Sequence, residues 1–259
     1  MSTTTLNYQT APGHQVLAAA GKTTLRPGGR SATEQLLNWA NLQPEQTVLE
    51  LAASFGESAI AIARQFGVRV VGIEKNPDSV AKARANIEAA GLSDRIEIVE
   101  GDIFKLDAID RQFDCIFAEA ILTMQSQPGK EKMARLLQAK LKPGGQLLSH
   151  EMLARGDEKQ LHKTLAQVIR VSSQPLSQKR WRSLWETVGL QIKNLDTGAL
   201  EMLTLPQLIR DEGLGRTIRI ARNILANSQL RNRVFQMRRT FLEHHDDLGY
   251  IVLQVIRSE

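Results

Sequence analysis

Four acidic residues stand within or directly after separate apolar stretches in the first half of the chain. Glu50 lies in TVLEL, Glu74 ends VRVVGIE, Asp102 follows RIEIVE and Glu119 ends FDCIFAE. If each stretch is a parallel β-strand, the strand ends meet at one edge of the sheet, where open α/β folds bind ligands. Carboxylates accept hydrogen bonds from hydroxyl and amino groups. The spacing therefore predicts a polar ligand site at that edge.

The elements that must position these acids alternate short apolar runs with amphipathic stretches, which is typical of a parallel sheet covered by helices on both faces. Strands are predicted at residues 47–51, 68–74, 95–100, 113–119 and 146–153, with a last strand in GYIVLQVIRS. Asn76 followed by Pro77 predicts a helix start, and Gly91 predicts its end. The sequence LKPGGQLL predicts a turn before the fifth strand.

The loop after the first strand, LAASFGES, resembles that of the class I S-adenosylmethionine (SAM) dependent methyltransferases, where an acid is followed by three alternating glycines. Glu50 corresponds to the acid and Gly56 to the last glycine, while Ala52 and Ser54 replace the first two. Because a side chain resists positive φ, we expect this loop to lack one or two left-handed positions. The sequences GIEKNP, GD and LKPGG extend the resemblance over residues 47–153.

The resemblance implies an α/β fold: a doubly wound, Rossmann-like seven-stranded sheet with an antiparallel last strand and a helical insertion before it. We expect one domain over residues 1–259. It comprises an N-terminal helical cap segment at 1–46, a SAM-binding core at 47–153 and the helical insertion at 206–245, which is expected to line or cover the substrate pocket. The chain is more loosely similar to the ubiquinone and menaquinone methyltransferases, without a motif for a quinone.

The cofactor implied is SAM, with S-adenosyl-L-homocysteine as its product. In the family, the acid after strand one lies near the methionine amino group, the acid after strand two binds the ribose hydroxyls, and the acid after strand three binds the adenine amino group. The expected cofactor contacts in this chain are Glu50, Ala52, Ser54, Gly56, Glu74, Lys75, Asp102, Ile103 and Glu119.

Methyl transfer from a sulfonium needs alignment of the reactants and, for a hydroxyl or acidic carbon, removal of a proton. The candidate catalytic residues are Glu119, His150 and Glu151. The last two lie in SHEML and face opposite sides of a regular strand. A structural role is the alternative for His150. The Asn/Asp-Pro-Pro-aromatic motif of the amide and adenine methylating enzymes does not follow Glu119, which favours a small-molecule acceptor.

The segment 206–245 carries eight arginines against three acids. Arg216, Arg219 and Arg222 follow one another at steps of three on a helix predicted to begin near Gly213. We expect Arg216 and Arg219, with Tyr8, to contact a substrate that carries an anionic group. A solvated helix face is the alternative. The segment RPGGR is expected to help close the front of the site.

Two apolar series in the same segment have helical spacing and are expected to face the core. They are Leu214, Ile218, Ala221 and Leu225, and then Leu230, Val234, Met237 and Phe241.

Three other functions are weighed against this prediction. A nicotinamide-dependent dehydrogenase needs a G-x-G-x-x-G turn that is absent here. An RNA or DNA methyltransferase is favoured by the arginines and the pI near 9.5 but opposed by the 5% aromatic content, so nucleic acid is not expected as a partner. A SAM-binding protein without catalysis is the third possibility, because of Ala52 and Ser54.

Composition also limits where the protein works. The single cysteine, Cys115, allows neither a disulfide framework nor a cysteine zinc site, and no metal site is predicted. A signal peptide and an apolar run of about 18 residues are both absent from the sequence. We expect a cytoplasmic protein without a membrane span, and the oligomeric state stays open.

Overall fold

The computed structural model describes residues 6–259, so the first five residues of the predicted cap segment lie outside the described part. Seven strands form one sheet in the order β3-β2-β1-β4-β5-β7-β6, and β7 runs antiparallel to both of its neighbours. The strands are β1 Thr47–Leu51, β2 Arg69–Glu74, β3 Ile96–Glu100, β4 Phe113–Glu119, β5 Leu141–Ala154, β6 Leu190–Ala199 and β7 Leu248–Arg257. The predicted fold class, including the antiparallel last strand, is confirmed.

Helices cover both faces of this sheet and one end of it. They are α1 Gly13–Ala20, α2 Gly29–Ala40, α3 Glu57–Phe66, α4 Pro77–Ala89, α5 Gln127–Lys140, α6 Glu158–Ile169, α7 Gln178–Glu186, α8 Leu205–Ala226 and α9 Ser228–Glu243, with a short 3₁₀ helix at Ile103–Ala108.

Local sequence sets the ends of α4 as predicted. The Asn76 side chain accepts hydrogen bonds from the backbone N–H groups of Asp78 and Ser79 at 2.9 and 3.1 Å, with Pro77 in the first helical position. These bonds satisfy donors that have no partner within the helix. Gly91, just beyond the helix, has a φ of +68°. Asn76 therefore fixes where α4 begins, directly after the carboxylate of Glu74.

The predicted turn before the fifth strand is instead an irregular part of β5. This strand begins at Leu141, and its pairing with β4 jumps from Phe113↔Leu141 to Cys115↔Gln146. Gly144, in the intervening residues, has a φ of +71°. A strand can absorb such extra residues as a bulge, with glycine at the left-handed position. The regular part of β5 then ends beside β4 at the site.

The core has three parts. One face of the sheet packs against α5 and α7 around Trp181, and the other packs against α2, α3 and α4 around Leu36 and Ile87. A third cluster joins α1, α6, α8 and α9 beyond the end of β5, around Leu165 and Met237. The predicted series Leu230, Val234, Met237 and Phe241 is buried in this third cluster, as expected.

The other predicted core stripe is wrong. Leu214, Ile218 and Leu225 are 63%, 54% and 64% exposed, and α8 packs through Thr217 and Ile220 instead. Helical spacing identifies an apolar face but does not show whether another part of the chain covers it.

Helix α8 also begins earlier than predicted, at Leu205 rather than near Gly213. Gly213 interrupts the helix with φ +73° and ψ 161°, a conformation that glycine adopts readily, so α8 consists of two segments. Within residues 6–259, no helix is both long and apolar enough to cross a membrane.

Candidate active site at the carboxyl edge of the sheet

The loop between β1 and α3 has left-handed backbone at all three family positions. Ala52, Ser54 and Gly56 have φ values of +52°, +49° and +77°. The expectation that the two non-glycine residues would avoid this region is therefore wrong. Surrounding hydrogen bonds hold the loop: the Ala53 N–H donates to the Ile73 carbonyl at 2.9 Å, and the Gly56 N–H donates to the Ala53 carbonyl at 2.8 Å. These contacts offset a steric cost of about 1–2 kcal/mol per non-glycine residue.

Glu74 links this loop to α4. Its carboxylate accepts hydrogen bonds from the backbone N–H groups of Ser54 and Asn76 at 2.8 and 2.9 Å. Each carboxylate oxygen has two lone pairs, so both can still accept a bond from a ligand hydroxyl. Glu74 thus lies beside the loop with acceptor capacity to spare.

Asp102 and Lys75 pair at the end of β3. The ammonium of Lys75 lies 2.9 Å from the Asp102 carboxylate, which also accepts the Phe104 N–H at 2.9 Å. These bonds, the backbone one first, lower the pKa of Asp102 below its usual value. Ile103, at the start of the 3₁₀ helix, packs against the first core cluster. Glu74, Lys75, Asp102 and Ile103 therefore lie on successive loops of one edge.

Glu119, at the end of β4, is the most enclosed of the predicted acids at this edge apart from Glu50. Its side chain is 8% exposed, and Arg26 Nε lies 2.9 Å from its carboxylate. The hydroxyl of Thr33 and Nδ1 of His150 contact the second carboxylate oxygen. Burial opposes ionisation, but Arg26, His150 and Thr33 outweigh it and lower the pKa of Glu119. Glu119 is thus an ionised carboxylate under a cover of residues from the N-terminal segment.

The hydrogen bonds of His150 define its tautomer. The Gly28 N–H donates to Nε2 at 2.9 Å, so Nε2 carries no proton. Nδ1 then carries the proton and donates to Glu119 at 3.0 Å. Because the ring is fully buried and both nitrogens are engaged, His150 orients Glu119 and tethers the segment above it.

Glu151 faces the other side of the sheet, as the strand alternation predicted. It accepts hydrogen bonds from the backbone N–H groups of Leu122 and Thr123 at 2.9 and 2.8 Å, and from the Thr123 hydroxyl. Burial raises the pKa of Glu151 to about 7 in spite of these donors. Its carboxylate holds the loop after β4 and forms no hydrogen bond with the side chain of Glu119 or His150.

Glu50 is buried at the centre of the edge, and its Oε2 has no hydrogen-bond partner within the described part of the chain. Burial raises its pKa to about 8, with Glu119 adding to the effect and Arg26 opposing it. Burial thus favours the protonated form of Glu50. A buried polar atom without a partner is costly, and it marks a place for a ligand donor.

In the described part of the chain, Glu119 forms no hydrogen bond or ion pair with any of the three predicted substrate residues. The Tyr8 carbonyl accepts a hydrogen bond from Arg233 Nε at 3.0 Å, within the third core cluster. Arg216 contacts the Thr23 hydroxyl at 2.8 Å and lies 3.4 Å from Glu212, while Arg219 is exposed on α8. The structure does not bring these three together.

Residues 22–33, here called the covering segment, contribute the site residues that sequence reasoning did not single out. Arg26 bonds to the Thr33 and Ser58 hydroxyls at 2.9 and 2.6 Å, in addition to Glu119. The sequence predicts RPGGR near the front of the site but indicates no role for Arg26, its first residue. The signal in the sequence that points to Arg26 is its place beside the two glycines of RPGGR. Nothing in the spacing indicated Thr33, which lies inside α2.

Comparison with known proteins agrees with this geometry. A methyltransferase domain family matches residues 48–145. An uncharacterised Haemophilus influenzae protein is 35% identical over 244 residues, which are 93% of this chain and 96% of that protein. A protein-lysine N-methyltransferase of Saccharolobus islandicus is 31% identical over 131 residues, which are 50% of this chain and 77% of that protein. The chain belongs to the class I SAM-dependent methyltransferases.

This methyltransferase also shares its fold with a solved relative. A SAM-dependent methyltransferase from Geobacter sulfurreducens, crystallised with S-adenosyl-L-homocysteine, matches with a TM-score of 0.69 and 19% identity. The match covers 94% of this chain and 98% of that one. At this identity the likeness concerns the fold alone. The methyltransferase sheet is thus complete in this chain, with Glu50, Glu74, Asp102 and Glu119 along its carboxyl edge.

Proposed function

We propose that this enzyme transfers the methyl group of SAM to a small-molecule acceptor enclosed between the covering segment and the ends of β4 and β5. The observation that carries the proposal is the burial of Glu119, whose side chain is only 8% exposed beneath Arg26 and Thr33. A folded protein or a nucleic acid would have to displace the covering segment to reach this carboxylate. A small molecule can be surrounded by it.

The residues present fit SAM. We propose that Glu50 receives the methionine amino group, because its unpartnered Oε2 needs a donor. Glu74 retains acceptor capacity for the ribose hydroxyls, and Asp102 with Ile103 suits the adenine. Gly72 keeps the floor of the loop open, since a Cβ there would lie 2.7 Å from the Cβ of Ala53. When bound, SAM supplies an electrophilic methyl group.

We propose Glu119 as the catalytic residue and His150 as its positioning residue. The carboxylate of Glu119 is ionised, so it can accept a hydrogen bond or a proton from the acceptor's nucleophilic atom. His150 is fixed by Gly28 and orients the carboxylate. Glu151 supports the reaction indirectly, by ordering the loop that follows β4.

Arg26 is the cation that we assign to an anionic group of the cofactor or acceptor. Its guanidinium already contacts Glu119, Thr33 and Ser58, and its side chain is 24% exposed. A planar guanidinium pairs well with a carboxylate or phosphate. Arg216, which contacts Thr23 of the covering segment at 2.8 Å, and the exposed Arg219 stay predictions for the same role.

Methylation of a protein lysine is a second candidate, favoured by the likeness to the Saccharolobus islandicus enzyme over half of this chain. A lysine side chain would have to enter beneath the covering segment while the rest of its protein stayed outside. The two candidates therefore differ in whether the methylated product is retained or passed by an ultrafiltration membrane.

The test is the fate of radioactive methyl groups. The enzyme is incubated with methyl-labelled SAM and an undialysed cell extract, and the products are separated into filtrate, protein and nucleic acid. We expect labelled product in the filtrate, at a rate lowered by about a hundredfold or more in Glu119→Gln. Glu131→Gln, on the exposed face of α5, is the matched control. Label confined to protein or nucleic acid would refute the small-molecule proposal.

A further inference from the structure

Exposed apolar side chains are concentrated on one pair of helices. Of the eight large hydrophobic side chains that are exposed in the described part of the chain, seven lie on α8 and α9. They are Leu205, Ile209, Leu214, Ile218 and Leu225 on α8, and Phe235 and Leu242 on α9, here called the α8–α9 surface. Single exposed hydrophobic residues are ordinary, but such a concentration marks an interaction surface.

Arginines border the same apolar side chains. On α8, Arg222 lies four residues after Ile218 and three before Leu225, so it shares their side of the helix. On α9, Arg238 and Arg239 both lie between Phe235 and Leu242 at steps of three or four, and both arginines are exposed. Each of the two helices therefore presents exposed apolar groups and guanidinium groups side by side.

The acidic residues of α8 and α9 do little to neutralise the positive charge of these arginines. The side chain of Asp211 is fully buried, next to Lys22, and that of Glu212 is also buried, where it receives hydrogen bonds from Thr23 and Thr24. Glu243 is the exposed acid of α9, and it pairs with Arg239 at 2.8 Å. The remaining exposed arginines, including Arg219 and Arg222, face solvent.

An apolar groove opens on this surface. Leu205, Phe235 and Arg238 border a cavity of about 200 Å³ whose inner walls include Leu17 and Ile220. The groove thus joins an apolar interior to exposed apolar and cationic groups at its rim. This combination suits a partner that offers hydrocarbon and negative charge at the same place.

We propose that the α8–α9 surface docks this methyltransferase on a membrane surface containing anionic lipids. Exposed leucine, isoleucine and phenylalanine side chains gain by entering the boundary between headgroups and acyl chains. Each arginine near an anionic leaflet contributes about 1 kcal/mol. Docking of this kind needs no spanning helix.

A second copy of the chain fits this surface less well. In a two-fold symmetric contact the same patch meets itself, which sets the arginines of one copy against those of the other. Like charges facing one another across an interface are unfavourable. The charge of the surface therefore favours an anionic partner over self-association.

Flotation with vesicles tests the proposal on the full chain. Vesicles are made of phosphatidylcholine alone or of phosphatidylcholine and phosphatidylglycerol in equal parts. We expect the protein to float with the anionic vesicles and to remain unbound with the neutral ones, and binding to weaken as salt is raised. Failure to float with the anionic vesicles at low salt would overturn the proposal.

Double variants separate the contribution of the apolar side chains to vesicle binding from that of the arginines. Leu214→Ser with Ile218→Ser should weaken vesicle binding by about tenfold or more. Arg219→Gln with Arg222→Gln should weaken it by about thirtyfold. Lys159→Gln with Lys193→Gln removes two exposed charges elsewhere and should leave binding unchanged. All six positions are exposed, so circular dichroism should show native folding, and equal binding by all three double variants would overturn the proposal.

Fluorescence locates the contact directly. Phe235→Trp places an indole on the rim of the groove, and its emission should shift to shorter wavelength when anionic vesicles are added. Light scattering by the protein without lipid measures its oligomeric state and so tests whether a second copy covers the surface instead. A stable dimer that becomes monomeric on Leu214→Ser with Ile218→Ser would assign the surface to a second copy and overturn the membrane proposal.

Discussion

At the scale of single residues, Glu50 determines the electrostatics of the site. Its carboxyl group is buried beside Arg26 and Glu119, and burial raises its pKa to about 8. A group with such a pKa holds its proton at pH 7 and releases it when a cation arrives alongside. In the proposed cofactor site, Glu50 would therefore exchange its proton for the positive amino group of SAM.

Proton release on SAM binding is the first prediction. At pH 7, titration calorimetry in two buffers of different ionisation enthalpy should show release of a substantial fraction of one proton per SAM bound. Glu50→Gln should bind SAM without that release, because the amide does not titrate. If the wild type binds SAM with no proton exchange, or takes up a proton, Glu50 does not have the assigned role.

The raised pKa of Glu50 also predicts how the free energy of unfolding depends on pH. Between its ordinary pKa of 4.5 and the raised value of about 8, the folded protein holds a proton that the unfolded chain has lost. The free energy of unfolding therefore falls as pH rises through this window. Relative to Glu50→Gln, the ligand-free wild type should lose about 1 kcal/mol or more between about pH 5 and pH 8. Parallel stability curves for the two proteins would contradict this.

The left-handed loop gives another prediction at the residue scale. Ala52→Gly removes a steric strain but makes the unfolded chain more flexible, so the free energy of unfolding should change by less than about 0.5 kcal/mol. Ala53→Gly has no left-handed strain to relieve and loses a buried methyl group, so it should cost about 1 kcal/mol. Chemical denaturation measures both, and equal losses would show that the strain at Ala52 is absent.

At the scale of elements, the covering segment connects the cofactor core to the inserted helices. His150 of β5 accepts the Gly28 N–H from one side, and Asp211 of α8 accepts the Arg30 N–H at 2.9 Å from the other. Gly29 lies between them with a φ of +65°. The covering segment is therefore held in place by both β5 of the sheet and α8 of the insertion.

Gly29→Ala tests this arrangement. Its Cβ would lie 2.5 Å from Asp211 Oδ1, in addition to the cost of positive φ. We expect a loss of about 2–3 kcal/mol in the free energy of unfolding, together with weaker SAM binding. Gly91→Ala is the matched control, since its φ is +68° and a Cβ there meets nothing within 4 Å, and it should cost about 1 kcal/mol. Equal effects of the two substitutions on SAM binding would contradict the assigned role of the segment.

The elements also show where sequence reasoning succeeded and where it stopped. Strands β1 to β4 and the start of α4 follow from apolar runs and from Asn76-Pro77, because these signals are local. The left-handed backbone of Ala52 and Ser54 could not be predicted, since it depends on contacts with β2. Arg26 and Thr33 become site residues only through the path of the covering segment over β4. The exposure of Leu214 and Ile218 depends on the absence of a covering element, which periodicity does not record.

At the scale of the whole molecule, one sheet carries two separate surfaces. Its carboxyl edge holds the line of acids from Asp102 through Glu74 and Glu50 to Glu119, and the third core cluster beyond β5 carries the α8–α9 surface. The covering segment contacts Glu119 at the first and the buried Asp211 of α8 beneath the second. The assignment of this edge as the SAM site is therefore the claim on which the rest of the mechanism depends.

Isothermal titration of the purified protein with SAM and with S-adenosyl-L-homocysteine tests that claim most directly. We predict binding of both, weakened by about tenfold or more in Glu74→Ala, where the acceptor for the ribose hydroxyls is lost. Glu88→Ala, on the exposed side of α4, should bind as the wild type does. Failure of the wild type to bind either ligand, or equal binding by Glu74→Ala, would contradict the account.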